Sequence, residues 1–104
     1  MFKIVAKPTF EAVVKVPMAG EEPGDLRLVF KHKTRKEVDE YFEYVKSSAD
    51  RDGLVLSQIV EGWKDVDTEF SVEALETVCQ NYHGVITAIF DTYLSELNKA
   101  REKN

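Results

Sequence analysis

The sequence predicts an α+β fold: an N-terminal β-hairpin, extendable to a small antiparallel sheet, followed by about four packed helices. Three observations carry that expectation. Thr9–Val16 and Leu26–Lys33 alternate apolar and polar residues with the period of two that half-buried strands show. From Thr34 the apolar residues recur at helical spacing instead. Strand signals therefore precede helix signals rather than interleave with them, which separates α+β from a parallel α/β sheet.

In the first strand Phe10, Ala12, Val14 and Val16 share one side, and Thr9, Glu11, Val13 and Lys15 the other. Pro17–Asp25 is dense in turn residues and reads as a flexible hairpin connection. In the second strand Leu26, Leu28 and Phe30 face one way and Arg27, Lys31 and Lys33 the other. Two strands alone are marginal, so helices must cover the apolar face or a third strand must extend it. Phe2–Ala6 is the candidate third strand, although Pro8 limits its pairing and leaves an open edge.

Thr34-Arg35-Lys36-Glu37 matches a capping box, in which threonine and glutamate satisfy each other's free amides. Val38, Tyr41, Phe42 and Val45 follow as the stripe of an amphipathic helix. After an interruption at Ser47–Gly53, a second helix is expected from about Asp52 to Glu61, burying Val55, Leu56, Ile59 and Val60 and broken by Gly62. The loop that follows carries Trp63, Val66 and Phe70 among acidic residues. Three such groups are poorly placed in water, so they are expected to fold back over the core. Trp63, Phe70 and Ser71 then form a structural clasp, the serine capping the third helix. That helix turns Val72, Leu75, Val78, Cys79 and Tyr82 inward, and Asn81–Gly84 is a tight junction. The last helix is expected from about His83 to the region of Arg101.

A chain of 104 residues is expected to form one domain spanning residues 1–104, with the hairpin in residues 1–33 and the helices in residues 34–104. One cysteine excludes an internal disulfide and fits a reducing cytoplasm. No apolar run approaches a membrane span, and Met1–Ala6 is too short for a signal peptide. Charge is uneven: residues 1–36 hold eight Lys+Arg against four Asp+Glu, a net of +4. The rest hold six against fifteen, a net of −9, giving the −5 of the chain. Such a polar molecule is suited to stacking on copies of itself or to docking by charge steering. An acidic chain of this kind is not expected to bind nucleic acid nonspecifically.

None of the chemistry-bearing residue types forms a site. Asp65-Val66-Asp67-Thr68-Glu69 begins like an EF-hand loop, but Phe70 stands where the sharp turn needs glycine. Cys79 and His83 are four apart, yet two candidate ligands are not a metal site, and Cys79 lies on the apolar stripe. Lys31–Lys36 is basic but lacks aromatic platforms and precedes an acidic helix. Gly20–Asp25 lacks the Lys-Ser/Thr of a phosphate loop. No metal, cofactor or catalytic residue is expected.

The chain resembles the small tail assembly chaperones of long-tailed bacteriophages and prophages. The resemblance rests on Phe30-Lys31-His32-Lys33-Thr34-Arg35 and on Val60-Glu61-Gly62-Trp63 with Asp67 and Phe70-Ser71. It continues through Glu73-Ala74-Leu75, Asn81-Tyr82, Ala88-Ile89, Tyr93, Leu97 and Ala100-Arg101-Glu102-Lys103-Asn104. One departure is His83, where the family favours a proline suited to the first helical turn. The resemblance implies a non-catalytic protein of the host cytoplasm that holds the tape-measure protein soluble until the tail tube polymerises. It further implies the major tail protein as a contact and absence from the mature virion, while the uneven charge suits self-association with a second copy. A structural component retained in the particle is the alternative.

For that role the last helix matters most. Val85, Ile86, Ile89, Phe90, Tyr93, Leu94 and Leu97 fill an arc of about 180° on a helical wheel. A surface helix needs only about 100° to seal against its own core. Either the helix is central to the bundle or one edge stays open. Phe90 and Leu94 form one edge of the arc with Arg101 nearby, and this edge is the expected partner-binding surface.

Overall fold

The computed structural model describes residues 1–99. A three-stranded antiparallel sheet of order β1-β2-β3 carries helices on one face, the α+β arrangement that the sequence predicts. Strands β1 (Thr9–Met18) and β2 (Glu21–Lys31) pair with Phe10 opposite Phe30, Ala12 opposite Leu28 and Val14 opposite Leu26. This register brings the apolar sides of both strands onto one face, where Val14, Leu28 and Phe30 lose all exposure. The other face is solvated and laced by ion pairs, Lys15 with Asp25 at 2.6 Å and Lys64 with Glu11 across to β3.

The hairpin closes far more tightly than the turn-rich sequence suggests. Only Ala19 and Gly20 form the turn, with Gly20 at φ +76°, and Glu21–Asp25 belong to β2. Pro17 and Pro23 both fall in the irregularity between the pairs Val16–Gly24 and Met18–Glu21. Proline offers no N–H to the ladder, so an interruption is where a strand tolerates it.

The third strand is not Phe2–Ala6, which forms no strand and stays exposed. It is β3 (Val60–Lys64), with Leu28 opposite Trp63, Val29 opposite Gly62 and Phe30 opposite Val60. The expected second helix is correspondingly shorter. It ends as α2 (Asp52–Leu56), and Gly62 lies within a strand rather than stopping a helix. Val55, Leu56, Ile59 and Val60 are all buried as expected, but they do not share one helix. The region expected to be purely helical thus contributes a strand to the sheet.

Around this sheet stand α1 (Arg35–Ser47), α3 (Val72–Asn81) and α4 (Val85–Leu97). The capping box forms: Thr34 Oγ1 accepts from Glu37 N at 3.2 Å, and the Glu37 carboxylate accepts from Thr34 N at 2.9 Å. Buried Tyr41 of α1 donates its hydroxyl to Val55 O at 2.8 Å, tying α1 to α2. Helix α4 starts behind Gly84, two residues later than expected, and the region of Arg101 lies outside the described residues. Its line Val85, Ile89, Tyr93 is fully buried. Tyr93 packs against Phe30 and Phe10 at ring distances of 5.2 and 6.0 Å and donates its hydroxyl to Lys31 O at 2.8 Å.

Candidate docking groove

Helix α3 is fixed firmly at its N-terminal end. Ser71 Oγ accepts from Ala74 N at 3.0 Å, the expected cap. Glu76 Oε1 accepts from Gly53 N at 2.7 Å, which joins α3 to α2. The two helices approach so closely that a β-carbon on Gly53 would lie 2.6 Å from Val72 O and 2.8 Å from Glu76 N. The Gly53 amide holds the Glu76 carboxyl below its ordinary pKa of 4.5, helped by the Gln80 side chain and Arg51.

The other end of α3 faces open space. Three hollows of about 240, 310 and 340 Å³ meet at Tyr82, the first residue after α3. Met18 of the hairpin tip, Val66 of the loop after β3, and Val78 and Tyr82 line them, all half-buried. Packing of the tip keeps the groove in place. Met18 lies over Gly24, where a β-carbon would meet its sulfur at 2.7 Å, and Pro17 sits 3.1 Å from the corresponding point on Gly84. The opposing wall is the 65–70 loop, in which Trp63 Nε1 donates to Thr68 O at 2.8 Å. Trp63 and Phe70 meet edge-on at 5.1 Å, and Trp63, Val66 and Phe70 all pack on the core while partly exposed.

The rim is acidic. Asp25, Asp65 and Asp67 all border the 240 Å³ hollow. Asp25 is paired with Lys15, and Asp65, in the left-handed region at φ 58°, lies 3.7 Å from Arg27 Nε. Asp67 accepts from the neighbouring Thr68 hydroxyl, at 3.0 Å, and is exposed. Asp65 thus answers an arginine, and Phe70, at the position that breaks the EF-hand pattern, packs on Trp63. Among the described residues no three His, Cys, Asp or Glu side chains group at metal-binding spacing. Cys79 is buried, and burial, with Asp52 and Glu76 nearby, pushes its thiol up to about 12, so it stays protonated at neutral pH. No helix among the described residues is long and apolar enough to cross a membrane.

The edge expected to bind a partner is divided. Phe90 packs edge-on against Phe42 at 5.2 Å and Tyr41 at 6.2 Å. Leu94 is half-buried, and Arg101 lies outside the described residues. The sequence gives no sign of the groove itself. Tyr82 reads there as one more inward residue and Met18 as a turn residue, and nothing in the one-dimensional pattern brings positions 18, 66, 78 and 82 together.

A model of the phage tail assembly chaperone family matches residues 1–104, the whole chain, and the chain belongs to that family. Comparison with the curated proteins and with the solved structures finds no match.

Proposed function

We propose that this chaperone binds the tape-measure protein of its phage in the host cytoplasm, without turnover, and leaves it before the virion is complete. The observation that carries this reading is the groove at Tyr82, with an apolar floor and an acidic rim. A segment that must fill the length of a tail tube is long and helical, and before assembly its apolar stripe has no partner. Helix-in-groove recognition takes such a stripe through a few apolar anchors, with Met18, Val66, Val78 and Tyr82 receiving them. Asp67 favours clients with basic residues beside the stripe and disfavours acidic ones. Handing the client over to the major tail protein then requires only that the polymerising tube compete for the same stripe.

A second surface is favoured by one observation. Among the described residues Leu94 is half-buried yet is not one of the side chains packed on the core, whereas its neighbour Phe90 is. The α4 edge of Phe90 and Leu94 remains the alternative docking face. Co-expression with the tape-measure protein separates the two. Tyr82→Asp should lower recovery of the soluble complex by an order of magnitude, with Leu94→Asp near wild type. The reverse order would move the site to α4, and full binding by both folded variants would sink the reading. Mass spectrometry of purified virions checks the departure step, for which the chaperone should be missing.

A further inference from the structure

We infer that the segment before β1, residues 1–8, docks in the Tyr82 groove of a second copy of this chain. The inference rests on reading that groove as a docking surface. Apolar exposure on the described residues is concentrated in this one segment. Phe2 is 89% exposed, Ile4 95% and Val5 79%, and Leu54, at 38%, is the one large exposed hydrophobe outside it among the described residues. Three such neighbours standing free in water are the mark of an interaction element rather than of random surface variation. Its charge is of one sign as well: Lys3 and Lys7 lie in it, and no acidic residue occurs before Glu11. An apolar segment flanked by lysines and an apolar groove bordered by Asp67, the rim aspartate outside an ion pair among the described residues, are complementary.

The placement of the segment favours an intermolecular contact. Pro8 O accepts from His32 N at 2.8 Å, so the segment leaves the sheet at the end opposite the hairpin tip. Phe2, Ile4 and Val5 all stand exposed, so the segment lies outside the groove of its own chain. A second copy of the chain is then the molecule that brings an arm to the groove. Arm and client then occupy the same groove, so a crowded, client-free chaperone covers its own binding surface and a client must displace the arm.

The test uses the full chain without a client. Sedimentation velocity between about 5 and 500 μM should show wild-type mass rising above the monomer. The double variant Phe2→Asp/Ile4→Asp, altered only at exposed positions, should remain a monomer. Asp67→Lys, also on an exposed side chain, should weaken association severalfold, with Lys3→Glu in the other copy restoring it. Mixing the arm variant, which keeps its groove, with Tyr82→Asp, which keeps its arm, should give a one-to-one dimer that neither forms alone. A wild type that is monomeric throughout, or an arm variant that associates as well as wild type, overturns the inference. Should either occur while Tyr82→Asp still loses the client, the groove stands as a client site and the arm plays no role in it.

Discussion

The two ends of α3 are built to opposite specifications. At the N-terminal end, α2 lies so close that only a hydrogen fits at Gly53, and Glu76 closes the contact with a charged hydrogen bond. At the C-terminal end, Val78 and Tyr82 border hollows with room for side chains that the described residues do not supply. Close packing resists change in either direction, while an unfilled surface tolerates change and offers burial to another molecule. The helix is anchored at one end and left open at the end that borders the proposed docking groove.

Substitution at Gly53 tests the closed end most severely. Gly53→Ala forces a β-carbon into backbone atoms that cannot swing aside, and should cost about 1–3 kcal/mol. In a domain of this size that lowers Tm by roughly 4–8 °C for each kcal/mol, readable by circular dichroism. An unchanged Tm would mean that α2 slides on α3 and that the contrast is overdrawn. The open end should respond less. Val78→Ala removes two partly exposed methyl groups and should cost about 1 kcal/mol or less, with client binding falling more than stability. Equal losses in both would identify Val78 as ordinary core.

The smallest effect concerns pH. Because the Glu76 carboxyl titrates below 4.5 in the folded chain, its contribution is complete above the ordinary carboxylate range. That contribution disappears as pH falls through the lowered value. Glu76→Gln still accepts the Gly53 amide but has no proton to take up. Its urea-unfolding stability should therefore decline less than that of wild type between pH 5 and about 3, with the two curves running parallel near neutral pH. Parallel acid limbs would show that Glu76 is not coupled to the α2 contact.

Much of the fold is legible in the sequence because it rests on local rules. The alternation of Val14 and Val16 with Lys15 sets the hairpin faces, and Thr34 with Glu37 sets the start of α1, each within a few residues. The element that escapes such rules is β3. Val55, Leu56, Ile59 and Val60 satisfy a helical stripe, and a run buried on all sides carries no period that tells a strand from a helix. What assigns Val60 to a strand is Phe30, thirty residues earlier, against which it pairs. The hairpin length is hidden for a related reason: Pro17 and Pro23 signal a loop locally but share one interruption of the ladder once the strands meet. The groove is the least legible feature. It is defined by empty space between residues of three separate segments, none bearing unusual chemistry.

The pairing of β3 with β2 also sets an order of events at birth. β2 ends at Lys31, but the strand that covers its second edge is not complete until Lys64. At roughly 5–20 residues per second of synthesis, the hairpin waits on the order of two to seven seconds with that edge bare. All of α1 and α2 emerges in the interval. A ribosomal pause between these points prolongs the time in which a nascent hairpin can pair with a neighbour's strand instead of its own, so translation speed through residues 32–64 bears directly on how much chaperone reaches the native fold.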